Sequence, residues 1–200
     1  MTVSEQRVET LLGRGGALRS RQFVHAGVSR SELSRMVANG HLVRLGRGLY
    51  AAPGYQPGEH QALVAVAQRA PKVLFCLLTA LRFHDLTTQA PFQVWIAIGN
   101  KAHPPRLDYP PIRTVRYSAE SLAAGVEEHE VEGTTIRVTS IAKTVADCFK
   151  FRNKVGLDVA LEALREAWRA RKFTMDELDR CAAICRVQRV MRPYLEALVA

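Results

Sequence analysis

Residues 16–53, GALRSRQFVHAGVSRSELSRMVANGHLVRLGRGLYAAP, constrain this chain more than any other stretch. They read as two short helices joined by a tight turn and followed by a small β-hairpin. Gly27 breaks the first helix, Val28 is placed as a hydrophobic staple, and Ser29 stands three residues before Glu32. That S-x-x-E spacing lets the serine hydroxyl and the glutamate carboxylate satisfy each other's orphan backbone donors and so opens a helix. The helix is expected to run to Asn39, with Gly40 as its left-handed terminator. At about 100° per residue, Leu33, Met36 and Val37 share one face, and Ser31, Ser34, Arg35 and Ala38 share the opposite one. A face of small polar residues and arginine, with Arg30 in the first turn, suits a recognition helix in a DNA major groove. Two strands then flank Gly46-Arg47-Gly48, where glycine allows a hairpin tip. That is the wing of a winged helix-turn-helix, with Arg44 and Arg47 in reach of backbone or minor groove. Arg19 and Arg21 complete the expected DNA-contacting set. A bare helix-turn-helix pattern also fits a plain three-helix packing unit, but turn glycine, capping box, glycine-tipped wing and charge together favour DNA.

The charge is unevenly spread. Residues 1–58 hold eight arginines and no lysine against three glutamates, an excess of five positive charges. Arginine's planar fork matches phosphate oxygens and guanine edges. Residues 59–200 hold 20 basic and 16 acidic side chains, so the basic excess is thinner there. The formal net charge of +9 points to a polyanionic partner, nucleic acid or an acidic protein.

The Pro/Gly-rich segment 53–58 marks a boundary, dividing a winged domain over 1–56 from a second domain over 57–200. In the second domain, helices are expected over 59–70 and 73–84, and a buried β-branched strand over 92–98. The proline-rich segment 100–111 is a loop made basic by Lys101, His103 and Arg106. A strand follows over 112–117, then a short helix from Ser118 that Gly125 stops, then a hairpin over 126–139 turning at Glu132-Gly133. Helices are expected over 140–153, 157–171, 175–186 and 188–199, and Pro193 is tolerable in the last if it lies in the first turn. The fold class is α+β: a winged helix-turn-helix, then a larger domain with a small sheet and a helical C-terminal part.

In the helix after Ser140, Lys143, Asp147, Lys150 and Lys154 form a mostly basic stripe opposite Ile141, Val145, Cys148 and Phe149. One reading is a solvated face with an i,i+4 Lys–Asp pair worth about 0.2–0.5 kcal/mol. The other is a docking surface for an anionic partner, protein or DNA. Ser140-Ile-Ala-Lys143 matches the S-x-x-K of serine acyl-enzymes, but the SDN and KTG partner elements do not occur, and Ser140 reads as an N-cap. No phosphate-binding glycine loop, paired-histidine zinc spacing or D/E-x-K strand is present. His84-Asp85 reads as a helix end. The four cysteines are expected as buried hydrophobes in a reducing cytosol. No secretory leader or membrane-length apolar run is seen, so a cytoplasmic protein without cofactor, metal or catalysis is expected.

The order G-x-L-x-S-R-Q-F…AGVSRSELSRMVANGHLVRLGRGLYAAP, then CLLTALRFHDLTTQAPFQVWIAI, then VEGTTIRVTSIAKTVADCFKFRNKVGLDVALEALREA resembles the AbiEi antitoxins of type IV toxin–antitoxin systems. The resemblance runs from about residue 5 to about residue 170, and the stretch from Thr139 to Gly156 is its more specific part. It implies a winged helix that represses its own operon at inverted repeats in double-stranded DNA. It also implies a second domain that counters a nucleotidyltransferase-like AbiEii toxin, with or without direct contact, and in which basic residues such as Lys143, Lys150 and Lys154 help hold DNA. Two rival readings are a winged-helix-targeted nuclease or transferase, and a protein-interaction module that binds no DNA.

Overall fold

The computed structural model describes residues 3–12, 17–46, 48–55, 60–89, 91–107 and 110–199. The chain is α+β, as expected, and divides into two compact units, 1–59 and 60–200. The expected boundary at 56/57 and the wing-tip residue Arg47 lie outside the described residues.

In the first unit, α1 (Val3–Leu12), α2 (Ser20–His25) and α3 (Arg30–Ala38) pack on a three-stranded sheet. Its strands are β1 (Ala17–Arg19), β2 (Val43–Gly46) and β3 (Leu49–Ala51), in the order β1-β3-β2 and antiparallel throughout. The strand β1 is not part of the expected pattern, because three residues are too few to show a period. The core gathers Val8, Leu12, Phe23, Val28, Leu33, Met36, Leu42 and Tyr50, with Phe23 edge-on to Tyr50.

The start of α3 is as the S-x-x-E spacing predicts. Glu32 N–H donates to Ser29 Oγ at 3.2 Å, and Ser29 N–H donates to Glu32 Oε2 at 2.7 Å. Ser4 Oγ in α1 donates to Glu32 Oε1 at 2.7 Å, so the same carboxylate ties two helices. The helix ends in a Schellman motif: Gly40, at φ +73°, donates to Val37 O and His41 N–H donates to Met36 O.

The second unit carries a five-stranded mixed sheet, order β6-β5-β4-β8-β7, from β4 (Leu74–Phe75), β5 (Val94–Gly99), β6 (Ile112–Tyr117), β7 (Val126–Val131) and β8 (Thr134–Thr139). The pairs β4/β8 and β5/β6 are parallel, and β4/β5 and β7/β8 antiparallel. Helix α4 (Gln61–Arg69) covers one face, with Val66 and Ala67 in the same core as Phe75, Val94, Ile96, Ile136 and Val138. The other face, with Leu74, Trp95, Ala97, Val115 and Tyr117, packs on the helices that follow. Because β5 is covered on both faces, it reads as an unbroken apolar run rather than an alternating one.

Those helices are α5 (Leu77–Phe83), α6 (Ala119–Ala123), α7 (Ile141–Lys150), α8 (Arg152–Val155), α9 (Leu157–Arg169), α10 (Met175–Cys185) and α11 (Gln188–Val199). The structure corrects the expected elements at three points. The apolar segment 73–84 is not one helix, since β4 precedes α5 and Leu77 takes φ +49° where α5 begins. A two-residue strand buried on both sides has the same composition as a buried helix. The segment 140–153 breaks at Phe151 into α7 and α8. Pro193 lies inside α11, beyond its first turn. Other features stand as expected: Ser140 caps α7, His84 closes the end of α5, and the β7–β8 turn takes positive φ at Glu132 and Gly133. All four cysteines are free and buried. No helix among the described residues is long and apolar enough to cross a membrane.

The Glu32 contacts carry a pH dependence. Hydrogen bonds from Ser4 and Ser29 lower its pKa from 4.5 to about 2. The carboxylate therefore stabilises the fold fully above pH 4.5, and that contribution disappears as the pH falls toward 2. Replacing Glu32→Gln should flatten the acid limb of a stability–pH curve over that window. Ser29→Ala should cost about 1 kcal/mol at neutral pH, read by thermal denaturation.

Candidate nucleic-acid interface

The face of α3 opposite its buried residues is open. Leu33 and Met36 are buried, Val37 is half-buried, and Arg30, Ser31, Ser34, Arg35 and Ala38 are all exposed. The spacing i, i+1, i+4, i+5, i+8 places these five on one side of the cylinder. Ser34 Oγ donates to Arg30 O at 3.1 Å, and the Ser29 and Ser31 hydroxyls lie 2.9 Å apart. The serines are thus short and held down, which leaves the two arginines as the projecting groups of the face.

The hairpin follows α3 in the chain and shares its core through Leu42 and Tyr50. Strand β2 is exposed along its whole length, and Arg44 Nε donates to Gly46 O at 3.2 Å, laying the guanidinium toward the tip. Arg19 is half-buried at the end of β1 and Arg21 is exposed in the first turn of α2. The sequence pattern does not reveal what seats the wing: Ser20 N–H donates to Gly48 O at 2.8 Å, joining the hairpin to the start of α2. Gly48 has φ +69°, and a Cβ there would lie 3.3 Å from Ser20 Oγ. A glycine at the wing and a serine opening α2 are the only local signs of this contact, and β1 is what brings the two together.

The second set of expected residues is split by the fold. Lys150 is half-buried and Lys154 exposed, whereas Lys143 and Asp147 are both fully buried. The expectation of one solvated stripe is therefore corrected for these two. Packing of α9 and α10 around α7 leaves that helix with almost no outward side. Lys143 Nζ donates to both carboxylate oxygens of Asp147 at 2.6 Å and lies 4.5 Å from the centre of the Tyr117 ring. Cys185 Sγ donates to Asp147 Oδ1 at 3.1 Å. Burial, and then the negative charge of Asp147, push the Cys185 thiol up to about 12 and hold Cys76 and Cys148 protonated as well. These thiols are poor nucleophiles. Burial, with Cys76 and Asp147 beside it, likewise keeps the Tyr117 hydroxyl protonated. Gly125 sits against the first turn of α7, where a Cβ would fall 2.7 Å from Lys143 Cβ. At the far end, Phe151 stacks on Tyr117 with ring centres 5.5 Å apart. Lys150 and Lys154 lie 5.9 and 5.7 Å from the centre of the Phe151 ring. Among the described residues, no group of three or more His, Cys, Asp or Glu is placed to hold a metal ion.

Residues 6–53 match the family model described as "Transcriptional regulator, AbiEi antitoxin". The match runs from within α1 to just past β3. The fold is also similar to that in the crystal structure of the RV2827C protein from Mycobacterium tuberculosis. That likeness has 14% sequence identity and a TM-score of 0.60, and covers 92% of this chain and 72% of that one. At that identity it shows a shared fold. No curated protein matches the chain.

The buried pair gives a stability test. Removing one partner strands a charge in the core, which costs about 3–5 kcal/mol, far above a solvated i,i+4 pair. Asp147→Asn and Lys143→Met should each lower the urea midpoint strongly. The double variant Lys143→Met/Asp147→Leu should recover much of the loss. Single variants with near-parental midpoints would show that the pair is solvated.

Proposed function

We propose that this chain is a DNA-binding regulator of the AbiEi antitoxin kind, which represses its own operon and counters a nucleotidyltransferase-like toxin. The observation that carries the reading is α3. Its inner face is buried, its outer face offers Arg30, Ser31, Ser34 and Arg35, and the hairpin that follows it in the chain shares its core. In this reading Arg30 and Arg35 contact base edges or phosphate in the major groove, and Arg19, Arg21, Arg44 and Arg47 hold the flanking backbone. The DNA is the chain's own promoter, at inverted repeats, in the cytoplasm.

The second unit supplies the antitoxin action without catalysis. Lys150 and Lys154 present charge to DNA or to the toxin, while Lys143 and Asp147 act by holding α7 in place. The match over residues 6–53 supports the regulator reading, and the exposed arginines support a duplex as its target.

Fluorescence anisotropy with a labelled duplex from the region upstream of the gene tests this. Arg30→Ala/Arg35→Ala should weaken binding by at least about tenfold and lower the salt slope by roughly 0.9 for each phosphate no longer neutralised. Melting at the parental temperature would confirm that the fold survives. Unchanged affinity and slope would rule out α3 as the reading element.

A further inference from the structure

A hollow of about 520 Å³ lies at the carboxyl end of β5 in the second unit. That volume is within the range of about 300–1,000 Å³ usual for small-molecule pockets. Val73 just before β4, Ala97 and Ile98 of β5 and Leu122 of α6 give it an apolar lining. Gly99, the last residue of β5, lines it as well, and a Cβ there would lie 4.0 Å from Leu122 Cδ2. Glycine thus leaves free a space that a larger side chain would take.

The loop that walls the hollow is held in place by one side chain. Arg116 of β6 donates through Nη1 to Gly99 O at 3.0 Å, to Ala102 O at 3.1 Å and to Asn100 O. The guanidinium gathers these carbonyls, and Ala102 and His103 line the hollow from the loop so fixed. A wall already held in place spares a ligand the cost of ordering its own site.

The charge around the hollow has one sign. Lys72 and His103 both line it, and both are exposed. Among the described residues, neither side chain has a hydrogen-bond or ion-pair partner. None of the described residues lining the hollow is acidic. Residues 100–107 of the loop carry Lys101, His103 and Arg106 and no carboxylate. An apolar lining with unengaged cationic donors at its rim is complementary to a carboxylate on a hydrophobic body.

We propose that this hollow binds a small hydrophobic carboxylate. Its apolar body lies against Val73, Ile98 and Leu122, and its carboxylate is held by Lys72 Nζ and a ring N–H of His103. The ammonium supplies a full charge, and an imidazole N–H donates in either protonation state. The site lies wholly within the second unit, so it stands or falls apart from DNA binding by α3.

Phenylbutyrate and phenylbutyramide share one hydrocarbon body, and only the first is charged, which makes them matched probes. Added to the full chain at millimolar concentration, phenylbutyrate should saturably shift the backbone resonances of Val73, Ile98, Gly99 and Leu122. Phenylbutyramide should bind at least about fivefold more weakly. Lys72→Met/His103→Ala, at two exposed positions, should keep the parental melting temperature. It should weaken phenylbutyrate by about fivefold or more and phenylbutyramide less. Gly99→Leu should block both probes by filling the hollow. The proposal is overturned if no saturable shift appears, or if phenylbutyramide binds as tightly as phenylbutyrate. It is equally overturned if either variant binds phenylbutyrate as the parent does.

Discussion

The Glu32 carboxylate joins separate parts of the first unit at one point. It accepts from the Ser29 backbone, which starts α3, and from Ser4, which anchors α1 across it. A nine-residue helix has little stability of its own, because nucleation is costly and few bonds repay it. The capping contacts and the burial of Leu33 and Met36 together set both where α3 begins and how it is rotated. The direction in which Arg30 and Arg35 project follows from that rotation. Wing and helix are then held in one frame by β1, whose pairing with β3 brings Ser20 to Gly48.

The second unit solves a different problem. Its sheet is covered on both faces, and α7 is enclosed between the sheet and the later helices. A lysine and an aspartate one turn apart on such a helix cannot reach water, so they are neutralised against each other, with Cys185 and the Tyr117 ring as neighbours. Such a pair contributes little net stability compared with apolar residues of similar volume, but breaking it is costly. Its contacts link α7 to Tyr117 of β6 and to Cys185 of α10. Of the basic stripe, only Lys150, half-buried at the end of α7, and Lys154, exposed in α8, keep their charge near solvent.

The two faces of α3 also separate two chemistries. The outward one is cationic and short-chained, suited to a polyanion. The inward one is apolar and buries Leu33 and Met36. In so small a unit, the same helix supplies both surfaces, so the placement of each follows from the same core contacts.

Local signals with a stereochemical cause were legible in the sequence. The S-x-x-E box, Gly40 at the end of α3, the Glu132-Gly133 turn and the Ser140 cap each act within a few residues, and each is found in place. The outward face of α3 was legible for the same reason, since helical period converts spacing directly into direction. What depends on contacts between distant residues was decided by the tertiary structure. β4 and the start of α5 share one apolar composition, and only pairing with β5 and β8 separates strand from helix. The stripe through Lys143 and Asp147 has the spacing of a solvated face, but Tyr117 of β6, Gly125 and Cys185 of α10 close over it. Sequence period fixes which side chains lie together on a helix, whereas the side that meets water depends on what else packs there.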